Sequence, residues 1–202
     1  TIQTGPASLT RQRTASISFA SNLAGTFECR VDGGAWAACE SPLQLTDLAD
    51  GAHSVRVRAV SAVQPIGVKD PSPPTRSWIV DATAPEVSID SAPTGSTPDT
   101  TGDVEFSSND PEAAFQCKVN SAPWDGCESP FEVTGLTPGQ VTVQVRALDP
   151  AGNLSDPAEA SWTVEVPRCP VGFQGTPPDC TEIEPVGNSK PVKATLTGGL
   201  LV

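Results

Sequence analysis

The sequence predicts an all-β chain: two tandem antiparallel β-sandwiches followed by a short, disulfide-looped C-terminal segment. Three observations carry that prediction. Apolar and polar residues alternate in short runs, as in Ala15-Ser-Ile17-Ser-Phe19 and Phe27-Glu-Cys29-Arg-Val31. Turn residues separate the runs, with 21 prolines and 17 glycines spread along 202 positions. The chain also repeats itself. Residues 27–43, FECRVDGGAWAACESPL, recur as FQCKVNSAPWDGCESPF at residues 115–131. A period of two with one polar face marks a half-buried antiparallel strand, and scattered Pro and Gly suit turns better than helices.

The repeat sets the organisation. Its central offset is 88, matching Phe27 with Phe115, Cys29 with Cys117, Trp36 with Trp124, Cys39 with Cys127 and Arg58 with Arg146. Upstream the offset is 87 (Ile2/Ile89, Phe19/Phe106), and downstream it is 84 (Trp78/Trp162, Val80/Val164). The difference falls in the Pro-rich stretch Gln64–Thr75, where a surface loop absorbs length changes. The expected domains are residues 1–82, residues 83–167, and a linker with C-terminal strand over 168–202. In the first copy, strands are expected near 1–4, 14–20, 26–31, 35–40, 43–46, 53–60 and 76–81. Seven short strands in under 100 residues indicate an immunoglobulin-like, fibronectin-III-like sandwich. The Cys…Trp…Cys spacing of antibody domains is absent, since Cys29 and Cys39 lie only ten apart and Trp78 falls in the last strand.

Composition excludes several function classes. With 12 Lys+Arg against 24 Asp+Glu, the formal net charge is -12. Nucleic acid and anionic membrane surfaces both call for a basic face, so neither is an expected partner. No apolar run approaches the roughly 20 residues of a membrane helix. A secretory leader and an initiator Met are missing from the sequence as given, which is expected of a mature or excised fragment. His53 is the only imidazole, and no HExxH, GxSxG, GxxxxGK[ST] or GxGxxG pattern occurs. No catalytic residue, cofactor or metal is assigned, and the expected answer on enzymatic activity is no.

The pattern Phe-x-Cys-x-Val-Asp-Gly-Gly-x-Trp-x-x-Cys-x-Ser-Pro, followed by Leu-x-Asp-Gly-x-His-x-Val-x-Val-Arg-Ala, resembles the bacterial Ig-like repeats of large secreted and cell-surface proteins. The joint Asp81-Ala-Thr-Ala-Pro85 is similar to the joints between such repeats. The resemblance covers about 167 residues of the chain. It implies a spacer or stalk that holds other domains away from the cell, with no catalytic residues to transfer. The second copy departs at one turn, where Asn120-Ser-Ala-Pro123 replaces Asp32-Gly-Gly-Ala35.

Six cysteines allow 15 pairings, and the repeat prunes them. Cys29 and Cys39, like Cys117 and Cys127, flank a hairpin turn. With the hairpin centred near residue 34 they stand opposite one another, within reach of a disulfide. The expected bridges are Cys29–Cys39, Cys117–Cys127 and, by elimination, Cys169–Cys180. The alternatives are reduced core cysteines and, further off, zinc. Disulfides place the chain in an oxidising compartment, secreted or on the cell surface.

The remaining residues each carry two readings. Trp36 and Trp124 pack over their hairpins or stack on a sugar, which makes them the candidate binding residues for a glycan or protein ligand. Trp78 and Trp162 belong in the core, with each indole N–H needing a partner. His53 aligns with Val141 and is expected as an exposed strand residue. Asp149-Pro-Ala-Gly-Asn153 with Asp156 offers oxygens to Ca²⁺, though turn chemistry explains the same residues. Asn153-Leu-Ser155 is a glycosylation sequon. Cys169–Cys180 is similar to the tail of an EGF module and is expected to form a small closed loop. The run Val192–Val202, with Val192, Ala194, Leu196, Leu200 and Val202 alternating along it, is strand-like. It is the first strand of a further domain, a strand packed on its own chain, or a strand donated to a neighbouring copy. The expected partners are therefore other copies of the chain or adjoining domains.

Overall fold

In a computed structural model, residues 1–166, 171, 173–176 and 179–182 are described. The fold is all-β, arranged as two sheet pairs and a terminal hairpin. The first pair is built from β1 (Ile2–Thr4), β2 (Leu9–Thr10), β3 (Ala15–Phe19), β4 (Gly25–Val31), β5 (Ala37–Cys39), β6 (Leu43–Leu45), β7 (Gly51–Ser61) and β8 (Thr75–Val80). Its sheets run β1-β3-β6 and β2-β8-β7-β4-β5. The second pair comprises β9 (Val87–Ser91), β10 (Ser96–Thr97), β11 (Gly102–Ser108), β12 (Ala114–Val119), β13 (Asp125–Cys127), β14 (Phe131–Val133), β15 (Gly139–Leu148) and β16 (Ala158–Val164). Its sheets run β14-β11-β9 and β10-β16-β15-β12-β13, the same order as in the first pair. β17 (Phe173–Thr176) and β18 (Asp179–Glu182) pair as an antiparallel hairpin. This strand order is that of an Ig-like, fibronectin-III-like sandwich.

The alternation seen in the sequence becomes burial. Ala15, Ile17 and Phe19 face inward from β3, and Val55 and Val57 face them from β7. In the second sandwich Val104 and Phe106 meet Val141, Val143 and Val145. Ile17, Val55, Val104, Val143 and Val145 are completely buried. Each such side chain contributes about 1.5–3 kcal/mol relative to exposure, so each sheet pair closes its own apolar core. The repeated Ser-Pro stitches the layers together. Ser41 Oγ accepts from Phe19 N at 2.8 Å, and Ser129 Oγ accepts from Phe106 N at 2.9 Å.

β2 and β10 were not expected. Each is two residues long and pairs in parallel with the last strand of its sandwich, Leu9 with Ile79 and Ser96 with Thr163. The first strand of each copy thus switches sheets part-way, and two residues are too few to show a period.

The disulfides Cys29–Cys39 and Cys117–Cys127 are present, with Cα atoms 5.8 and 5.7 Å apart. The expected register needs correction. Cys29 stands opposite Ala37, and Cys39 opposite Phe27, so the bridge crosses the ladder diagonally. The hairpin is centred at residue 33 rather than 34, with Asp32 and Gly33 in left-handed φ, and the second copy keeps the same diagonal register with Asn120 alone left-handed. Cys169–Cys180 lies outside the residues whose side chains are described, as do Val192, Ala194, Leu196, Leu200 and Val202.

Candidate functional site

Three groups of side chains stand out. The first is the outer face of each five-stranded sheet. Trp36 follows the β4–β5 turn and is half-buried, with the Arg58 guanidinium 4.1 Å from its ring centroid. Arg58 also donates to Glu28 Oε2, at 2.7 Å from Nε and 2.6 Å from Nη2, and Lys69 reaches Glu28 Oε1 at 3.1 Å. Arg58 first and Lys69 second hold the Glu28 carboxyl below its usual range. In the second sandwich Arg146 and Lys118 stand 4.3 and 4.9 Å from the Trp124 centroid, and Gln116 replaces Glu28 as the Arg146 partner at 2.8 Å. Both indoles pack over their hairpins under a cation, a contact worth about 0.5–1 kcal/mol at an exposed site.

The second group surrounds His53. The structure corrects the exposed-strand expectation, since the side chain is only 11% exposed. Nδ1 lies 2.7 Å from Asp32 Oδ2, Nε2 lies 2.7 Å from the Ala49 carbonyl, and the ring stacks on Trp78. The Ala49 carbonyl, then the Asp32 carboxylate, push the imidazole pKa above its usual value. Protonated, the ring donates to both. Asp32 Oδ1 accepts from Ser54 N at 2.6 Å, and Asn120 Oδ1 accepts from Thr142 N at 2.8 Å at the equivalent turn. The second copy's altered turn therefore keeps this anchor, because Asn120 adopts the same left-handed φ as Asp32. Trp78 and Trp162 are core residues, each 2% exposed. Their Nε1 atoms nevertheless have no hydrogen-bond partner among the described residues, contrary to expectation, and nothing in the packing accounts for it.

The third group is the joint between the sandwiches. Asp50, in the turn before β7, accepts from Ala82 N at 3.2 Å and from the Thr83 hydroxyl, and pairs with Arg13 at 2.9 Å. The Thr83 hydroxyl, ahead of Ala82 and Arg13, holds the Asp50 carboxyl below its usual range. On the other side, the turn after β15 folds on itself. Asn153 donates to Asp149 from N (2.8 Å) and from Nδ2 (2.7 Å). Burial raises the Asp149 pKa, but the Asn153, Gly152 and Ala151 donors outweigh it and hold it low. This turn reaches across to the first sandwich. Asn153 Nδ2 donates to the Asp81 carbonyl and Arg11 Nη1 to the Gly152 carbonyl, both at 2.8 Å.

Two readings of the joint residues narrow. Both Asp149 oxygens are taken by Asn153 donors, which favours turn chemistry over calcium. No group of three or more metal-ligating side chains occurs among the described residues. The sequon Asn153 is 8% exposed with its amide engaged, so the folded joint leaves no access for a glycan at that nitrogen. The position of the joint is legible in the sequence, but the contacts across it are not, because Asn153 and Asp81 are 72 positions apart.

No protein-family profile matches the chain, and no curated protein matches it. Among solved structures it is similar to the fibronectin(III)-like modules of Clostridium thermocellum CbhA, at 17% identity over 82% of this chain and 93% of that one, with a TM-score of 0.47. It is also similar to the central fibronectin-III array of RIM-binding protein, at 18% identity over 88% of this chain and 75% of that one, with a TM-score of 0.30. A third likeness is to chicken CNTN1 FN1–FN3, at 11% identity over 82% and 64% of the two chains, with a TM-score of 0.32. Each likeness is loose, and the fold class stands on the chain's own strand order and register. No helix among the described residues is long and apolar enough to cross a membrane.

Proposed function

We propose that this chain is a non-enzymatic structural spacer of an extracellular or cell-surface bacterial protein, as part of a stalk, adhesin or filament, and that copies join end to end through the C-terminal strand. The observation that carries the spacer reading is the joint. Arg11 and Asn153 bind carbonyls across it, and Asp50 clamps the short linker. A spacer must transmit position, and a short linker held at its start, with a carbonyl tie reaching across the joint from each sandwich, limits bending. The hairpin disulfides resist local fraying, and they suit an oxidising compartment. The test is a distance distribution between spin labels placed on β6 and β14. A spacer gives a single narrow distribution, whereas a broad one in the unmodified chain overturns the reading.

A second reading, a glycan- or protein-binding module, is favoured by the matched positions of Trp36 and Trp124 in the two copies. Glycan-array binding that is lost in Trp36→Ala with the fold intact would support it.

A further inference from the structure

The acidity of the chain is confined to its second copy. Residues 83–167 hold 14 Asp+Glu and only two Lys+Arg, Lys118 and Arg146, whereas residues 1–82 hold seven of each. Both of those cations converge on one ring. Lys118 Nζ lies 4.9 Å and Arg146 Cζ 4.3 Å from the Trp124 centroid. Gln116 stands opposite Arg146, and Lys118 opposite Gln144, so the two cations are diagonal neighbours on the outer face of β12 and β15. Among the described residues, neither cation is ion-paired, and every ion pair falls in the first sandwich. Arg146 donates from Nε to Gln116 Oε1 at 2.8 Å. Its two Nη atoms, Lys118 Nζ and Gln116 Nε2 have no hydrogen-bond partner among the described residues. They leave a half-buried cluster of donors beside an indole.

The first copy shows what such a cluster holds. At the offset of 88, Glu28, Arg30, Trp36 and Arg58 stand where Gln116, Lys118, Trp124 and Arg146 stand. There the guanidinium on the tryptophan grips a carboxylate: Arg58 donates to Glu28 Oε2 from Nε at 2.7 Å and from Nη2 at 2.6 Å. Lys69 adds a contact of 3.1 Å to Oε1, and Arg30 Nη2 is spent on the Gly33 carbonyl at 2.6 Å. A fork-shaped grip of this kind is the strong mode of carboxylate recognition. Replacing Glu28 by Gln116 keeps the bond to Nε and removes the internal acid. The contrast between the copies is one of residue identity.

We propose that the Trp124 face binds a carboxylated sugar, with the carboxylate on Arg146 and Lys118 and the sugar ring against Trp124, and that Glu28 closes the equivalent face of the first copy. The inference deepens the binding-module reading given above, naming the copy that binds and the charge of its ligand. A sugar is favoured over an acidic peptide by the strands themselves. β12 and β15 are each paired on both sides, so neither offers an edge for a peptide to join. Gln116, Lys118, Thr142, Gln144 and Arg146 make the face polar. The 14 carboxylates of the same sandwich oppose a densely charged polymer. At physiological ionic strength, screening over about 8 Å leaves a single carboxylate at this face governed by its two cations.

The test titrates the full chain, by calorimetry, with disaccharides ending in glucuronate, galacturonate or mannuronate, each beside its methyl ester, and with the dipeptide of two glutamates. At least one uronate is expected to bind at one site per chain, and its ester about tenfold more weakly, as for the loss of one charge-assisted hydrogen bond. Gln116→Glu gives Arg146 the acid that Arg58 already has, and is expected to weaken uronate binding about tenfold with unchanged circular dichroism. Glu28→Gln is expected to raise the stoichiometry from one site to two. Equal binding of uronate and ester overturns the charge class and leaves the binding-module reading standing. A dipeptide that binds as tightly as the uronates overturns the sugar. Uronate binding undiminished in Gln116→Glu overturns the site, and a stoichiometry of one in Glu28→Gln overturns the closure of the first copy. A chain that binds none of these probes overturns both the inference and the glycan reading.

Discussion

His53 and Val141 occupy the same place in the two copies, each opposite the core tryptophan of its last strand. The valine only packs there, whereas the histidine adds a pH-dependent tie between the Asp32 turn and the Ala49 carbonyl. Its folded pKa is raised above the ordinary 6.5, so the stabilisation is fully present below pH 6.5 and is lost as pH rises through the folded value. His53→Val should flatten the pH dependence of the first sandwich's melting temperature from pH 6.5 upward. An unchanged slope would remove His53 from this role. Gly102 answers to space rather than charge. A Cβ there would meet Pro93 Cγ at 2.9 Å and Trp162 Cζ2 at 3.2 Å. Gly102→Ala should cost the second sandwich about 1–3 kcal/mol in denaturant unfolding. His53 looked exposed in the sequence because alternation assigns a face and says nothing about a turn folding over that face.

Among the elements, the long strands β7 and β15 were legible because their Val-x-Val runs hold the period across many residues. β2 and β10 were not, since parallel edge pairing leaves no mark on two residues. The disulfide partners were legible for a similar reason: the repeat presents the same spacing twice. Their diagonal register was not, because a cysteine spacing of ten leaves open where the turn is centred, and both copies centre it one residue before the midpoint. Each bridge closes about ten residues and contributes roughly 2.5–3 kcal/mol in the chain-entropy model. Cys29→Ser with Cys39→Ser should therefore lower the first sandwich's unfolding free energy by about that amount and leave the second sandwich unchanged. Full reduction of three bridges should add about 6 Da to the intact mass, two hydrogens per bridge. A gain of about 4 Da would leave Cys169–Cys180 unbridged.

For the whole molecule, the decisive contacts are the two carbonyl ties across the joint. Each contributes about 0.5–1.5 kcal/mol, so removing both in Arg11→Ala/Asn153→Ala should raise the bent population on the order of tenfold. Broadened label-to-label distances with unchanged melting of each sandwich would show it, and an unaltered distribution would place the stiffness in the linker alone.

The amino-acid order settles the all-β character, the internal repeat and the local thiol pairing, since alternation, turn residues and spacing act over a few neighbouring positions. The partners of His53, Asp81 and Asn153 arise from chain segments far apart in sequence. Only packing brings those segments to hydrogen-bond distance, and no local pattern carries that information.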